Sequence, residues 1–205
     1  MQNIKWLFFD LGSTLIDESE CGEYRIQELL KQSNAPSREI LERRMIEYAS
    51  KNRLPYKDTA KAFGLETTKW RHDLEKIYDR VPYVLEKLRP SYKLGIIANQ
   101  ELGTEKRLVG YGIRQYFDVV ISSAEEGVAK PDSKIFEISL KKAECSPEEA
   151  CMIGDRLDND IAPAAKMGMS TIWVRQGPFK YGNVGLVENK PDRIVERIED
   201  VLLYL

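Results

Sequence analysis

Polar side chains stand where three apolar runs of the sequence end. Asp10 follows WLFF, Asn99 follows LGIIA, and Asp155 follows CMIG. Asp158 and Asp160 come shortly after Asp155, in the stretch GDRLDND. Carboxylates that share a small cleft repel one another, so they stay ionised there only beside a cation. Oxygen ligands without histidine or cysteine favour a hard octahedral ion, so this pattern predicts Mg²⁺ as a cofactor.

A lysine adds the other half of the predicted chemistry. Lys130 precedes a proline in EEGVAKPDSKIF, in a loop that leads into a helical pattern. An ammonium group among carboxylates and Mg²⁺ would hold an anionic nucleophile beside an anionic substrate. A carboxylate nucleophile, a metal and a cation are together the parts of a phosphoryl-transfer site. Taken alone, Asp10 is most simply a turn residue and Lys130 a surface lysine, so the hypothesis rests on their combination.

Five apolar runs are expected to form the strands that position these groups. Their apolar residues stand on consecutive positions, which is typical of parallel strands buried on both faces. The runs are IKWLFFD, YKLGIIAN, FDVVISS, ACMIGD and STIWV, with helical patterns between the later ones. This alternation predicts an α/β fold whose core is a three-layer, Rossmann-like parallel sheet. Sheets of this kind bind ligands beyond the carboxyl ends of their strands, where Asp10, Asn99 and Asp155 would lie.

A helical segment interrupts this alternation directly after the first strand. YRIQELLK, SREILERRMIEYASK, KDTAKAF and TTKWRHDLEKIYD each have helical spacing and no strand signature. We therefore expect a core domain of residues 1–17 and 81–205, with a small all-helical cap of residues 18–80. The cap would lie over the predicted site, as a lid does. The tail PDRIVERIEDVLLYL is expected to close the core as an amphipathic helix.

The bulk composition argues against several other classes of protein. The 205 residues suffice for one α/β core with a small insertion. A net charge of −2 and a pI near 5.7 leave no basic excess for nucleic acid. No apolar stretch approaches the roughly 20 residues that a bilayer crossing needs, and the N-terminal residues lack a signal-peptide pattern, so we expect a cytoplasmic chain without a membrane partner. With His72 as the single histidine, zinc sites and histidine-based triads are not expected.

The motifs built from these residues resemble the haloacid dehalogenase superfamily of hydrolases, over essentially the whole chain. FFDLGSTL resembles the family's nucleophile loop, LGIIANQ its second motif, GVAKPDSKIF its lysine motif, and MIGDRLDNDIAPAAKMGMSTIWV its acidic motif with its flanks. The helical insertion after the first motif matches the position of the family's helical cap. The resemblance implies a phosphatase-like hydrolase that acts on a small phosphorylated molecule.

The resemblance also implies a role for each matching charged residue. Asp10 would be the nucleophile that becomes transiently phosphorylated, and it would also bind Mg²⁺. The backbone carbonyl of Gly12 would be a second metal ligand and Asp155 a third. Asp160 would support the metal or orient Lys130. Lys130 would neutralise the nucleophile and the phosphoryl oxygens.

The resemblance also implies substrate contacts for Asn99 and for Ser13 and Thr14 of the nucleophile loop.

Two positions depart from the family's pattern. Most family phosphatases carry a second aspartate where this chain has Gly12. That aspartate protonates the leaving oxygen and later activates water, and such acid–base help is worth about 10²–10⁴-fold. The second motif usually presents a serine or threonine hydroxyl, where this chain has Ala98.

These departures leave several alternatives. Dehalogenases also lack the second aspartate, but they act without a metal and lack the acidic motif found here at Gly154 and Asp155. A phosphonate-cleaving relative would use a cap lysine, and Lys51 is a candidate, although it is most simply a solvated side chain. A slow phosphatase would obtain its acid elsewhere, for example from Glu18, Glu20 or another cap residue. A binding or regulatory protein that keeps the Mg²⁺ site and turns over little is a further alternative.

Overall fold

The computed structural model describes residues 3–205, which contain eight β-strands. The strands are β1 (Trp6–Phe9), β2 (Ile16–Asp17), β3 (Lys76–Ile77), β4 (Lys93–Ala98), β5 (Val119–Ser122), β6 (Ala150–Gly154), β7 (Ser170–Val174) and β8 (Arg193–Val195). Six of them form one sheet in the order β5-β4-β1-β6-β7-β8, in which every neighbouring pair is parallel. β2 and β3 form a separate antiparallel ribbon. The predicted α/β parallel-sheet fold is therefore confirmed.

Within residues 3–205, eight α-helices connect and cover these strands. They are α1 (Ser19–Leu30), α2 (Arg38–Ala49), α3 (Pro55–Phe63), α4 (Val81–Leu88), α5 (Thr104–Gly110), α6 (Ser123–Glu126), α7 (Ser133–Ala143) and α8 (Ala162–Lys166). A single π-helical turn, Leu157–Ile161, precedes α8. None of the helices in residues 3–205 has the length and apolarity needed to cross a membrane.

The two faces of the sheet pack against different helices. Successive side chains of a strand point to opposite faces, and β1 divides accordingly. Leu7 and Phe9 pack in one apolar cluster with Val84 of α4, whereas Phe8 packs in another with Phe136 of α7. All of these side chains are fully buried. The result is a helix–sheet–helix sandwich that fixes the carboxyl ends of β1, β4 and β6 side by side.

Helices α1, α2 and α3 form the segment that lies between the two ribbon strands. They share an apolar cluster separate from those of the sheet, with Leu29, Leu41, Tyr56, Ala60 and Leu65 as its buried members. The chain leaves the core through β2 and returns through β3, so the ribbon is the connection between the two parts. A private apolar cluster is what a separate small domain requires, which supports our proposed cap of residues 18–80.

Two helices expected from the sequence do not form. After Phe63 the chain is irregular, with one 3₁₀ turn at His72–Leu74. The amides of Glu66 and Thr68 donate to side-chain oxygens of Gln32 and Tyr56 instead of to helix carbonyls. These long-range hydrogen bonds compete successfully with a helical pattern of low intrinsic stability.

The predicted closing helix is also wrong. The tail begins as β8, which pairs with β7 as the edge strand of the sheet, and ends in a 3₁₀ segment, Ile198–Leu203. Asp192 anchors the start of this strand by accepting hydrogen bonds from the Thr171 amide at 2.8 Å and its hydroxyl at 3.3 Å. The apolar residues Val195, Ile198 and Val201 are buried as the periodicity predicted, but through a strand and a tighter turn.

Candidate active site

A buried lysine joins the ends of two neighbouring strands. Lys130 Nζ donates hydrogen bonds of 2.6 Å to Asp10 Oδ1 and to Asp160 Oδ1. Its side chain is 0 % exposed. Asp10 directly follows β1, and Asp160 lies in the π-helical turn after β6, the strand paired with β1. The structure thus brings together the three charged groups that the sequence placed at strand ends and in the lysine loop.

Asn99 holds the lysine in this position. Its Nδ2 donates to the Lys130 carbonyl at 2.8 Å, and its Oδ1 accepts from the Lys130 amide at 2.7 Å. Both ends of the amide side chain therefore contact the backbone of the lysine loop. Substrate binding by Asn99 stays a prediction, and the observed contacts assign it a positioning role. Ala98, the last residue of β4, is fully buried and offers no hydroxyl.

Three carboxylates form a group that is suited to a metal ion. Ligand oxygens of Asp10, Asp155 and Asp160 lie within 4.8 Å of one another. Asp155 Oδ2 is buried without a hydrogen-bond partner, and a cation would satisfy that oxygen. Asp160 Oδ2 already accepts from the Arg156 amide at 3.0 Å, and its Oδ1 accepts from the lysine. The donor set therefore fits a hard cation, with Asp160 bound more fully to the protein than Asp155.

A glycine makes room for Asp160. A Cβ built on Gly154 would lie 2.5 Å from Asp160 Oδ2 and 2.6 Å from its Cγ. Side-chain carbons do not approach so closely, so any larger residue at position 154 would displace the carboxylate. Gly154 is the last residue of β6, directly before Asp155. The Gly-Asp pair of the motif therefore has a steric basis.

Burial dominates the ionisation of this group. Burial raises the pKa of Asp155 well above its ordinary range, and the charges of Asp10 and Asp160 raise it further. Burial also raises the pKa of Asp10, while Lys130 opposes that shift. Burial alone lowers the pKa of Lys130, but its two carboxylate partners outweigh this and hold the pKa above its usual value. Proteins relieve such a cluster of unfavourable negative charge by binding a cation.

The loop that follows Asp10 is held by a residue that was not predicted from the sequence. Gln176 Nε2 donates to the carbonyls of Ser13 at 3.0 Å and Thr14 at 2.8 Å. Ser13 adopts a left-handed backbone conformation, φ 56°, and lines the cavity beside Asp10. Thr14 is fully buried and is not among the cavity-lining residues. Gln176 follows β7, so the strand-end pattern that singled out Asp10 could have identified it.

A glutamate fills the space beside Gly12. A Cβ built on Gly12 would lie 2.5 Å from Glu18 Oε1. Ser13 Oγ donates to Glu18 Oε2 at 2.7 Å. Burial raises the pKa of Glu18 to about 7, the serine hydrogen bond opposes this shift, and Asp10 adds to it. By contrast, Glu20 is exposed and pairs with Lys76 outside the cavity.

These groups lie at the floor of a cavity of about 1020 Å³ between the sheet edge and the cap helices. Arg25, Tyr56 and Trp70 line its cap side. The Arg25 guanidinium carbon lies 3.5 Å from the Tyr56 ring centroid and 5.0 Å from that of Trp70, and Arg25 Nε is buried without a hydrogen-bond partner. Lys51 is exposed, pairs with Glu47 and does not line the cavity.

Comparisons with known proteins agree on one family. The sequence profile of the haloacid dehalogenase-like hydrolases matches residues 5–174. A glyceraldehyde 3-phosphate phosphatase of Pyrococcus furiosus is 32% identical over 100% of this chain and 94% of that protein. A pyrophosphatase of Listeria monocytogenes is 30% identical over 97% of this chain and 95% of that protein. The crystal structure of a HAD phosphatase from Thermococcus onnurineus covers 98% of both chains with a TM-score of 0.66 and 24% identity.

Proposed function

The chain belongs to the haloacid dehalogenase-like hydrolases, and from this membership we propose that it is a Mg²⁺-dependent phosphatase of a small phosphorylated molecule. The observation that carries the proposal is the contact of one buried lysine with two carboxylates at the floor of the cavity. This arrangement gives Asp10 a counter-charge and a fixed direction. A carboxylate that is buried, oriented and open to a cavity is equipped to attack an electrophile.

In the proposed reaction, Asp10 attacks phosphorus and the bond to the leaving oxygen breaks, which leaves the phosphoryl group on Asp10. Lys130 neutralises the carboxylate and the incoming phosphate oxygens. Asp155 and Asp160 would hold Mg²⁺ with Asp10 and the Gly12 carbonyl. When bound, Mg²⁺ supplies positive charge to the transferring phosphoryl group and separates the clustered carboxylates.

The part of the substrate that is not transferred would lie against the cap side of the cavity. There Arg25 offers a guanidinium whose faces are held by two aromatic rings and whose Nε has no partner. Relatives with similar coverage carry names for different small substrates, a sugar phosphate in one and pyrophosphate in the other. Because their substrates differ, we propose the class of substrate, a small phosphate ester with polar or charged groups, and no single compound.

The first experiment is a screen of phosphate monoesters and 2-haloacids with and without Mg²⁺. We expect Mg²⁺-dependent release of phosphate, which Asp10→Asn abolishes. Asp158→Asn is the matched control, because Asp158 lies in the same acidic segment but pairs with Arg156 at 2.6 Å and is not in the carboxylate group. Metal-independent halide release would contradict the proposal in favour of a dehalogenase. Absence of turnover on every ester, with Mg²⁺ bound, would indicate a binding or regulatory protein.

A further inference from the structure

Gly12, two residues after Asp10, has no side chain, but another residue fills the space where its side chain would lie. The nearest atoms to a Cβ built on Gly12 all belong to the Glu18 carboxyl group, at 2.5, 3.0 and 3.2 Å. A side chain on residue 12 would therefore begin in the volume that the Glu18 carboxyl group fills. Glu18 reaches this volume from the far end of the loop.

The backbone position of Glu18 does not explain where its side chain points. Glu18 is the N-cap residue of α1, and the preceding Asp17 already binds the first helical amide, that of Ser19, at 2.9 Å. The Glu18 side chain makes no capping hydrogen bond. It turns instead into the cavity that Asp10 and Asp155 also line, and Ser13 Oγ holds it there at 2.7 Å. A carboxyl group that is held in the same cavity as Asp10, and is not used to cap its own helix, is available for a chemical role.

Two other acidic side chains near the cavity, Glu75 and Asp17, are already engaged in hydrogen bonds. Glu75 accepts hydrogen bonds from Trp70 Nε1 at 2.6 Å, from His72 Nδ1 at 2.9 Å, and from the Tyr111 hydroxyl. Asp17 Oδ1 accepts from the Ser19 amide at 2.9 Å. Glu18, with one hydrogen bond to Ser13 Oγ on Oε2, keeps Oε1 beside Gly12.

We propose that Glu18 is the general acid and base of this site and serves from the cap junction in place of a residue at position 12. The proposal rests on the proposed phosphatase function. An alkoxide is a poor leaving group, so its departure is faster when a positioned acid protonates it, and a carboxylate that has lost its proton can then activate water. Glu18 is placed for both steps because its carboxyl group borders the loop that carries the nucleophile.

The two steps balance with Glu18 as the single proton carrier. In the first, Asp10 bonds to phosphorus, the bond from phosphorus to the ester oxygen breaks, and that oxygen takes the Glu18 proton to leave as an alcohol. In the second, water gives one proton to the Glu18 carboxylate while its oxygen bonds to phosphorus. The bond from phosphorus to Asp10 breaks, and its electron pair returns to the Asp10 carboxylate. Phosphate leaves, and Glu18 is protonated again.

The test compares Glu18→Gln with the wild type on two substrates whose leaving groups differ in their need for an acid. Glycerol phosphate releases an alkoxide, whereas p-nitrophenyl phosphate releases a phenolate that departs without protonation. We expect kcat for glycerol phosphate to fall about 10²–10⁴-fold, the usual worth of general acid–base catalysis. With p-nitrophenyl phosphate we expect a stoichiometric burst of p-nitrophenolate followed by slow turnover, because only the second step then lacks its base.

Two further variants separate this role from a structural one. Glu20→Gln is the control, because Glu20 is an exposed glutamate in the first turn of the helix that Glu18 precedes, and its kinetics should match the wild type. Gly12→Asp combined with Glu18→Ala returns a carboxyl group to the same volume, and should recover activity on glycerol phosphate even if Glu18→Gln does not fold. A Glu18→Gln protein that keeps more than half of the wild-type kcat on glycerol phosphate, or a double variant that folds and stays inactive, would overturn the role of Glu18. An inactive wild type would overturn the proposed function itself.

Discussion

The floor of the cavity and its cap side use charged residues in opposite ways. At the floor, Lys130 is completely buried and both of its acidic partners contact it at 2.6 Å. On the cap, ion pairs such as Lys51 with Glu47 are largely exposed, and Arg25 faces the cavity with its Nε unpaired. Water weakens exposed ion pairs, whereas breaking a buried pair leaves an uncompensated charge in a low dielectric.

This difference suits the two regions to different tasks, the reaction at the floor and substrate specificity on the cap side. The groups to which we assign the chemistry are held by neighbouring parallel strands and by one another, so their geometry has little freedom. Groups on the cap side are set by packing between helices and by an arginine stacked on aromatic rings, an arrangement that other side chains can replace. We infer that the floor determines the type of reaction and the cap determines which ester enters.

The largest effect is expected from removing the buried cation. Lys130→Met leaves Asp10 and Asp160 buried without their partner, and should lower the free energy of unfolding by about 3–5 kcal/mol. Denaturant titration of the metal-free protein measures this change. Lys51→Met, which breaks an exposed pair of the cap, is the matched control and should leave the unfolding midpoint unchanged. Equal losses in the two variants would remove the contrast between the regions.

The next effect comes from adding one methyl group to a glycine in each region. Gly154→Ala forces its Cβ against the Asp160 carboxylate, and such overpacking should cost about 1–3 kcal/mol. Gly22→Ala, inside α1, meets no atom within 4 Å and should stabilise the protein by about 0.5–1 kcal/mol through its helix propensity. Thermal unfolding should show a lower midpoint for Gly154→Ala and a higher midpoint for Gly22→Ala than for the wild type. A stable Gly154→Ala protein would mean that the acidic turn has more freedom than its contacts indicate.

A smaller and more selective effect is expected at Arg25. Arg25→Met keeps a long apolar stem beside Tyr56 but removes the charge. For substrates with an anionic leaving portion, KM should therefore rise about tenfold, equivalent to about 1.4 kcal/mol of binding free energy. Their kcat should change little, because Arg25 is not placed at the reacting atoms. Steady-state kinetics on an ester with a charged leaving portion and on an ester with an uncharged leaving portion test this. A fall in kcat without a change in KM would show that the cap takes part in the chemistry.

The same contrast explains what the sequence could predict. Strand ends are local features, so Asp10, Asn99 and Asp155 were recognisable from apolar runs alone, and the fold followed from their alternation with helices. Glu18 was only one of several candidate acids, since nothing local indicates that its side chain enters the space beside Gly12. Such a fit depends on how a helix approaches a loop in three dimensions.

Errors in the helical predictions have a related cause. The segment after Phe63 and the C-terminal tail both have helical periodicity, but each is held by contacts with residues distant in sequence. Tyr56 and Gln32 bind the first segment, and pairing with β7 extends the second. In the tail, periodicity identified the buried residues Val195, Ile198 and Val201 but not their backbone conformation, because burial is set by the core and hydrogen bonding by the nearest available partner.

In the proposed reaction, Asp10 carries the phosphoryl group during turnover. Acid quenching of the wild-type protein during Mg²⁺-dependent hydrolysis, followed by peptide mass spectrometry, tests it directly. We predict a phosphoryl group on the peptide that contains Asp10, and its absence in Asp10→Asn and in samples without Mg²⁺. Rapid turnover with that peptide unmodified, or with the phosphoryl group on another residue, would contradict the account.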